Sequence, residues 1–203
     1  MATLNDVKLQ IAGFGYVFEA PVDTEPLDLA KFEFGNDTTY GDWKWIGDTS
    51  SENMIEFSSE GGESESKRTW ARLDVRTLTS PESVSATINS VNLHNETFKL
   101  AFPNAHTNGN RTDIGSVGGA SSRALLIVMQ DPDTGSYSAL WFPHVSIKGS
   151  FPTLSLEEFT EIPLSISVLS SLKHTVPGGG GFVKWSFVEP TADRKPADPG
   201  AAA

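Results

Sequence analysis

Apolar and polar positions alternate through most of this chain. In "TWARLDVRT" the residues Ala71, Leu73 and Val75 fall on one side and Arg72, Asp74 and Arg76 on the other, the two-residue period of a half-buried strand. "SVSATINSV" repeats the pattern, with Val84, Ala86 and Ile88 inward and Ser83, Ser85, Thr87 and Asn89 outward. Its β-branched content favours strand over helix. "ALLIVMQ", Ala124 to Gln130, is apolar on both faces and predicts a central strand covered from two sides. "DPDTG" turns the chain into "SYSALWFPHVSI"; its acids resemble the start of a calcium loop but stop alternating after Asp133, so a turn between two strands is the better reading. "IPLSISVLS" places Ile162, Leu164, Ile166 and Val168 on one face, and "FVKWSFV" supplies Val183, Trp185 and Phe187 to a last strand.

One stretch breaks the alternation. In "HNETFKLAFPNA", Asn95 is placed to cap, Glu96 lies in the first turn, and Phe98 and Phe102 sit four apart, which predicts a short amphipathic helix packed on the sheet and ended by Pro103. The connections "NAHTNGNRTDIGSVGGASS" and "HTVPGGGG" are long and rich in Gly, Ser, Asn and Thr, a length expected of functional or disordered loops. Residues 1–188 read as a single β domain, and residues 189–203, "EPTADRKPADPGAAA", as a flexible tail low in apolar bulk.

Composition sets limits on function. The 203 residues, 38% hydrophobic and 10% aromatic, suit one globular domain with an ordinary core. Fifteen basic against 26 acidic residues leave a net charge of −11, so nucleic acid is repelled by the average surface. Cysteine is absent, which removes disulfides, thiolate metal sites and a cysteine nucleophile together. "MATLNDVKLQIAGFGYVF" has neither the basic start nor the apolar run of a signal peptide, and nothing approaches a membrane span, which predicts a protein made and kept in a cytoplasm. The sequons at Asn36, Asn95 and Asn110 are then chance matches.

Chemical motifs are missing. His94, His106, His144 and His174 are scattered singly, without the spacing that puts two imidazoles on one metal. "GFGYVF" has Phe18 where a dinucleotide fingerprint needs its third glycine, "GSVGGASSR" is at best a weak phosphate-loop lookalike, and no Gly-X-Ser-X-Gly elbow exists. No cofactor and no enzymatic activity are expected.

The most unusual stretch is "GDTSSENMIEFSSEGGESES", Gly47 to Ser66. It carries Asp48, Glu52, Glu56, Glu60, Glu63 and Glu65 and no base, and alone such a run is a solvated loop. Yet Met54, Ile55 and Phe57 lie inside it, and Gly61 and Gly62 give a pliable bend before Lys67, Arg68 and the strand beginning at Thr69. A loop mobile in the isolated subunit and ordered by a neighbour needs both properties.

The order of these signals resembles the major tail tube proteins of long-tailed bacteriophages. "GYVFEAPVDTEP", a Trp segment leading to "WIGDTS", "SSEGGESESKRTWARLDVRT", "SVSATINS" and "NETFKLAF" match the first half of that pattern, and "YSALWFPHVSIKGSFPTLSLEEFTEIPLSISVLSS" the second. The match runs from about Val7 to Trp185 and is most specific at Gly47 to Ser50, at Glu60-Gly61-Gly62-Glu63 and at Thr69-Trp70. It implies an all-β fold with one short helix, a β-sandwich or barrel of the tail tube type, whose copies form hexameric rings stacked into a hollow tube for phage DNA. It implies that Asp48 to Arg68 is the loop reaching to adjacent subunits, the acids, Lys67 and Arg68 setting register and Met54, Ile55 and Phe57 becoming buried. It further implies a tape-measure protein, tail-tip and terminator proteins as partners, DNA passing without specific binding, no membrane, and residence in the virion tail after assembly in the host cytoplasm.

A carbohydrate-binding β-sandwich is the alternative. Trp43, Trp45 and Trp141 would be its stacking platforms, and the polar loops would recognise hydroxyls. Against it, Trp43 and Trp45 share one face of a short strand, which is more often core or interface.

Overall fold

A computed structural model describes residues 12–33, 39–70, 72–115, 118–152, 154 and 156–191, with the backbone alone at 39, 65, 67–69 and 72–79. Among the described residues the strands are β1 (Phe14–Ala20), β2 (Thr39–Tyr40), β3 (Trp43–Trp45), β4 (Glu56–Glu60), β5 (Ser64–Thr69), β6 (Arg72–Thr79) and β7 (Ser83–Ser90). After α1 (Asn95–Ala101) come β8 (Ala105–Asn108), β9 (Arg111–Ile114), β10 (Ser121–Gln130), β11 (Tyr137–Gly149), β12 (Ile162–Val168) and β13 (Ser186–Val188). The chain is mostly β with one short helix, consistent with a β-sandwich.

The main sheet has nine antiparallel strands in the order β2-β3-β1-β10-β11-β12-β7-β4, with β13 also paired to β11. Alternation places β10 at its centre. Ala124, Leu126 and Val128 point to one face, joining Phe18, Phe32, Trp43, Ala139 and Trp141. Leu125 and Ile127 point to the other, joining Val17, Ile88, Phe142, Ile147, Ile162, Leu164 and the helix residues Leu100 to Phe102. The expected central strand covered from both sides is therefore present, because a run without polar residues is stable only where both faces are dry.

β11 changes partner in mid-strand. Ala139 to Trp141 pair with β13 and Val145 to Gly149 with β12. Between them the β10 register slips, from Leu125 opposite Phe142 to Arg123 opposite Val145. Pro143 occupies the slip, where its missing N–H costs no ladder bond. Its carbonyl accepts from the Asp23 N–H at 2.8 Å. The "DPDTG" turn also forms as read: the Asp131 carboxylate accepts the amides of Asp133 (2.9 Å) and Thr134 (3.0 Å), closing an Asx turn between β10 and β11.

Helix α1 lies on β11 at Gly149, where a Cβ would sit 2.3 Å from that of Ala101; only glycine allows this approach. The buried Ser121 hydroxyl donates to the Leu100 carbonyl at 2.9 Å, satisfying a group the helix end leaves open. Phe98 and Phe102 stack with ring centroids 6.5 Å apart, as their spacing predicts. The cap differs from expectation. His94 is the N-cap and makes no side-chain capping bond, while Asn95 is the first helical residue. Its amide instead reaches the β8–β9 hairpin, accepting from the Thr112 hydroxyl at 2.8 Å.

Three further expectations change. "NAHTNGNRTDIGSVGGASS" is not one long loop, since its first half folds into the β8–β9 hairpin. In "FVKWSFV" only Ser186–Val188 is strand; Val183 is buried, but Trp185 and Phe187 stay about half exposed. The alternating "TWARLDVRT" segment is not one strand from Thr69: Thr69 ends β5, Trp70 is a turn, Ala71 lies outside the described residues, and the strand from Arg72 is β6, which pairs with β5 in a separate two-stranded sheet rather than in the main one. Alternation identifies a strand without identifying its partner.

Candidate functional site

The acidic stretch folds into more structure than a loop. Ser50 N–H donates to the Asn89 carbonyl at 2.8 Å and Val91 N–H to that of Asp48 at 3.0 Å, so the chain first meets β7 there. Residues 51–55 leave the ladder, and the chain rejoins β7 at Glu56 opposite Thr87, continuing as β4 to Glu60 opposite Ser83. A bend at Gly61 and Gly62 follows, and Ser64 opposite Thr79 opens the β5–β6 ribbon. Residues 56–90 are thus one long hairpin, bent once, with a wholly exposed Trp70 between β5 and β6.

The bend depends on its glycines. Gly61 has φ +91°, and a Cβ there would stand 2.1 Å from the Pro81 carbonyl oxygen across the hairpin. Gly62 N–H donates to the Ser80 carbonyl (3.2 Å) and Ser80 N–H to the Glu63 carbonyl (2.9 Å), so pairing survives the corner. A pliable glycine pair was legible in the sequence. That "SESKRT" would pair with "RLDVRT" was not, because neither segment names its partner.

Asp48, Glu52, Met54, Glu60 and Glu63 are exposed, with Met54 at 67%. Ile55 is part-buried against the core, and the Phe57 ring stacks on Phe142 at 5.4 Å. Two of the three apolar residues therefore have partners within the chain, and Met54 faces outward. The side chains of Glu65, Lys67 and Arg68 lie outside the described residues, as do residues 1–11 and 192–203. The sequence reading missed the sheet edge: among the described residues β4 ends the main sheet, and each of its five residues is exposed.

Beside that edge the sheet turns a hydroxyl-rich face outward. Ser85, Thr87 and Asn89 of β7 and Ser165 and Ser167 of β12 line a concavity of about 800 Å³, overhung by Glu52 to Glu56. The opposite face of the same strands carries Ala86, Ile88, Leu164 and Ile166 into the core. The Asn53 amide donates to the carboxylate of Glu161, the residue before β12, at 2.9 Å.

Chemistry of other kinds finds no support in the geometry. Ser171, His174 and Asp23 approach one another, but the Ser171 hydroxyl donates to the Asp23 carboxylate (2.6 Å) and accepts the amides of Lys173 and His174. It caps a turn and has no bond to the imidazole, the reverse of a nucleophile–base pair. No group of three or more metal-ligating side chains occurs among the described residues. No described helix is long and apolar enough to cross a membrane. Trp43 and Trp141 are buried, their indole N–H groups donating to the carbonyls of Glu25 and Thr24 at 2.9 Å each, and Trp45 is part-buried beside them. Such rings hold the fold together and offer no platform for a sugar.

Among the described residues the fold is mostly β, with strand β4 at the edge of the main sheet and a β5–β6 hairpin beside it, and sequence comparison identifies the class. A family model described as phage tail tube protein matches residues 2–176, and the chain belongs to that family. It is similar to the major tail protein Gp23 of Mycobacterium phage D29, 29% identical over 139 residues that cover 64% of this chain and 69% of the relative. The corresponding protein of Mycobacterium phage L5 is 28% identical over 139 residues, with the same coverage. The chain is a structural protein of the phage tail and not an enzyme.

Proposed function

We propose that this chain assembles into hexameric rings that stack into the hollow tail tube through which phage DNA is delivered to the host. The observation that carries this reading is the exposed strand β4, a free edge beside a projecting β5–β6 arm in a member of the tail tube family. An unpaired edge of this kind invites uncontrolled association unless another strand covers it, and a ring closed by strand pairing removes it. The bent hairpin then reaches to the adjacent subunit. Asp48, Glu52, Glu60, Glu63, Glu65, Lys67 and Arg68 set register there, and Gly61 and Gly62 let the arm find its angle.

The hydroxyl-rich face of β7 and β12 is the surface we assign to the channel. Serine and threonine hold water, and the excess of carboxylates in a chain of net charge −11 repels DNA phosphates, so the genome slides without specific binding. A tape-measure protein inside the growing tube and tail-tip and terminator proteins at its ends complete the partners. Assembly takes place in the host cytoplasm and the product resides in the virion tail.

Negative-stain microscopy of the concentrated protein tests the reading. Rings or long hollow filaments without added ligand are expected. Small particles retained on a glycan column would favour the carbohydrate-binding alternative instead. The registering role has its own test: Lys67→Glu with Arg68→Glu should give short or misaligned tubes, and normal tubes would remove that role while leaving the ring.

A further inference from the structure

Charge is segregated along this chain. Ile162 to Val188 contain no acid, only Lys173, His174 and Lys184, whereas Trp45 to Ser66 contain six acids and no base. The acid-free run leaves the sheet after β12 as a hairpin of residues 171–183, closed by a bridge between Thr175 and Phe182. That hairpin displays Leu172 (81% exposed), Phe182 (50%) and Val176 (41%), with Lys173 exposed among them. Apolar side chains gathered on an acid-free turn of an acidic protein mark a contact surface.

The hairpin is held in place before any partner arrives. Ser171 N–H donates to the Val183 carbonyl, Val183 N–H to that of His174 and Val176 N–H to that of Gly181, each at 2.8 Å. Its base is pinned to the turn after β1: the Ser171 hydroxyl donates to the Asp23 carboxylate at 2.6 Å, and the His174 ring lies 3.2 Å from the Asp23 carbonyl and 3.6 Å from the Glu25 carboxylate. A surface ordered in advance loses little freedom on docking. It is also far from the acidic overhang of its own subunit. Asn53 of that overhang binds Glu161, immediately before β12, whereas Leu169, whose N–H donates to the His144 carbonyl, leads from the other end of β12 into the hairpin. The seven residues of β12 hold the two apart by about 23 Å.

We infer that the 171–183 hairpin of one copy docks on the Glu52–Glu56 overhang of a second copy, Leu172 and Phe182 covering Met54 and Lys173 facing the carboxylates of Glu52 and Glu56. Met54 is 67% exposed, and both glutamates are exposed beside it. Charge selects this occupant: a basic, apolar surface without acids is complemented by an acidic one with an apolar centre, and every copy carries both. Because the two surfaces lie at opposite ends of β12, the contact runs head to tail along that strand and propagates from copy to copy without a two-fold dimer. The inference rests on the self-assembly reading above and names the surface that receives part of the acidic stretch.

The absence of native cysteine makes a clean test possible. Phe182→Cys and Met54→Cys proteins, both altered at exposed positions, are mixed, assembled and oxidised. A disulfide-linked dimer should appear on non-reducing gels in the mixture and in neither protein alone. Leu172→Cys with Glu52→Cys provides a second pair should one of the first fail to fold. Lys173→Glu should raise the concentration needed for assembly about threefold or more, the loss of a rim charge pair and its replacement by repulsion. A link formed by either protein alone would place like surface against like and overturn the head-to-tail pairing. Wild-type tubes together with unlinked mixtures of both pairs would overturn the docking and leave self-assembly standing. A wild-type protein that forms no rings or tubes would overturn self-assembly itself, and the docking with it.

Discussion

The β1–β10–β11 region and the β4–β7–β12 region belong to one sheet but are built for different surroundings. In the first, alternate residues of β10 enter two separate cores, and Phe18, Leu125, Leu126 and Val128 are all essentially inaccessible. In the second, one face is core and the other is Ser85, Thr87, Asn89, Ser165 and Ser167, ending in a strand with no buried residue. The contrast separates what holds the subunit together from the surface proposed above to meet its neighbours. Substitutions should divide the same way, stability following the first region and assembly the second.

The sharpest break in that division is in the heart of the sheet. Phe18→Ala removes a fully buried ring that meets Phe32 and Tyr40 edge-on at 5.8 and 5.7 Å, and should cost about 3–5 kcal/mol in urea unfolding. A loss below about 1 kcal/mol would mean that this core is not packed as described. Gly61→Ala comes next, in the second region. Positive φ and the Pro81 carbonyl both oppose a Cβ, so about 1–3 kcal/mol is expected to fall on the hairpin, read as faster amide exchange in β4 and β5 with β10 unchanged. Equal acceleration in β10 would show that the two regions do not separate.

The double change Ser85→Ala, Ser167→Ala should move subunit stability by no more than about 0.5 kcal/mol per site, since both side chains are exposed. If their face lines the channel, assembled tubes should retain their form while DNA passage slows. A large loss of subunit stability would place those serines in the structural region.

The smallest effect is alkaline. Burial first, then Tyr137, Asp48 and Tyr40, push the Tyr16 phenol above its ordinary value. The folded state therefore holds that proton more tightly than the unfolded chain. Its contribution is complete below the unfolded value of about 10 and is lost as pH rises from there through the folded value. Tyr16→Phe should flatten this alkaline decline in the urea midpoint, and an unchanged slope would remove Tyr16 as its source.

Much of the heart was legible along the chain. "ALLIVMQ" declares a strand covered on both sides, "IPLSISVLS" a strand covered on one, and the spacing of Phe98 and Phe102 a short helix. The surface proposed for assembly was legible only in part. The acids, the glycine pair and the apolar intruders of residues 48–68 mark it as unusual, but Ile55 and Phe57 turn out to lean on their own subunit. Trp185 and Phe187 share the alternation of Val183 yet remain half exposed, since alternation alone does not say whether a face is covered. Asn95 falls one position past the cap and its side chain bonds Thr112 and Gly109 of the β8–β9 hairpin, which local spacing does not reveal.

Period, turn chemistry and apolar content are local properties, and by themselves they determined that this chain is β-rich, where most strands run, and which faces are dry. Pairing joins segments that local pattern does not name, so only the tertiary structure decided that β6 folds back on β5, that β11 divides its edge between β12 and β13, and that β4 lies at the edge of the main sheet among the described residues. Those choices depend on which backbone groups find each other across space. Side-chain alternation does not record them.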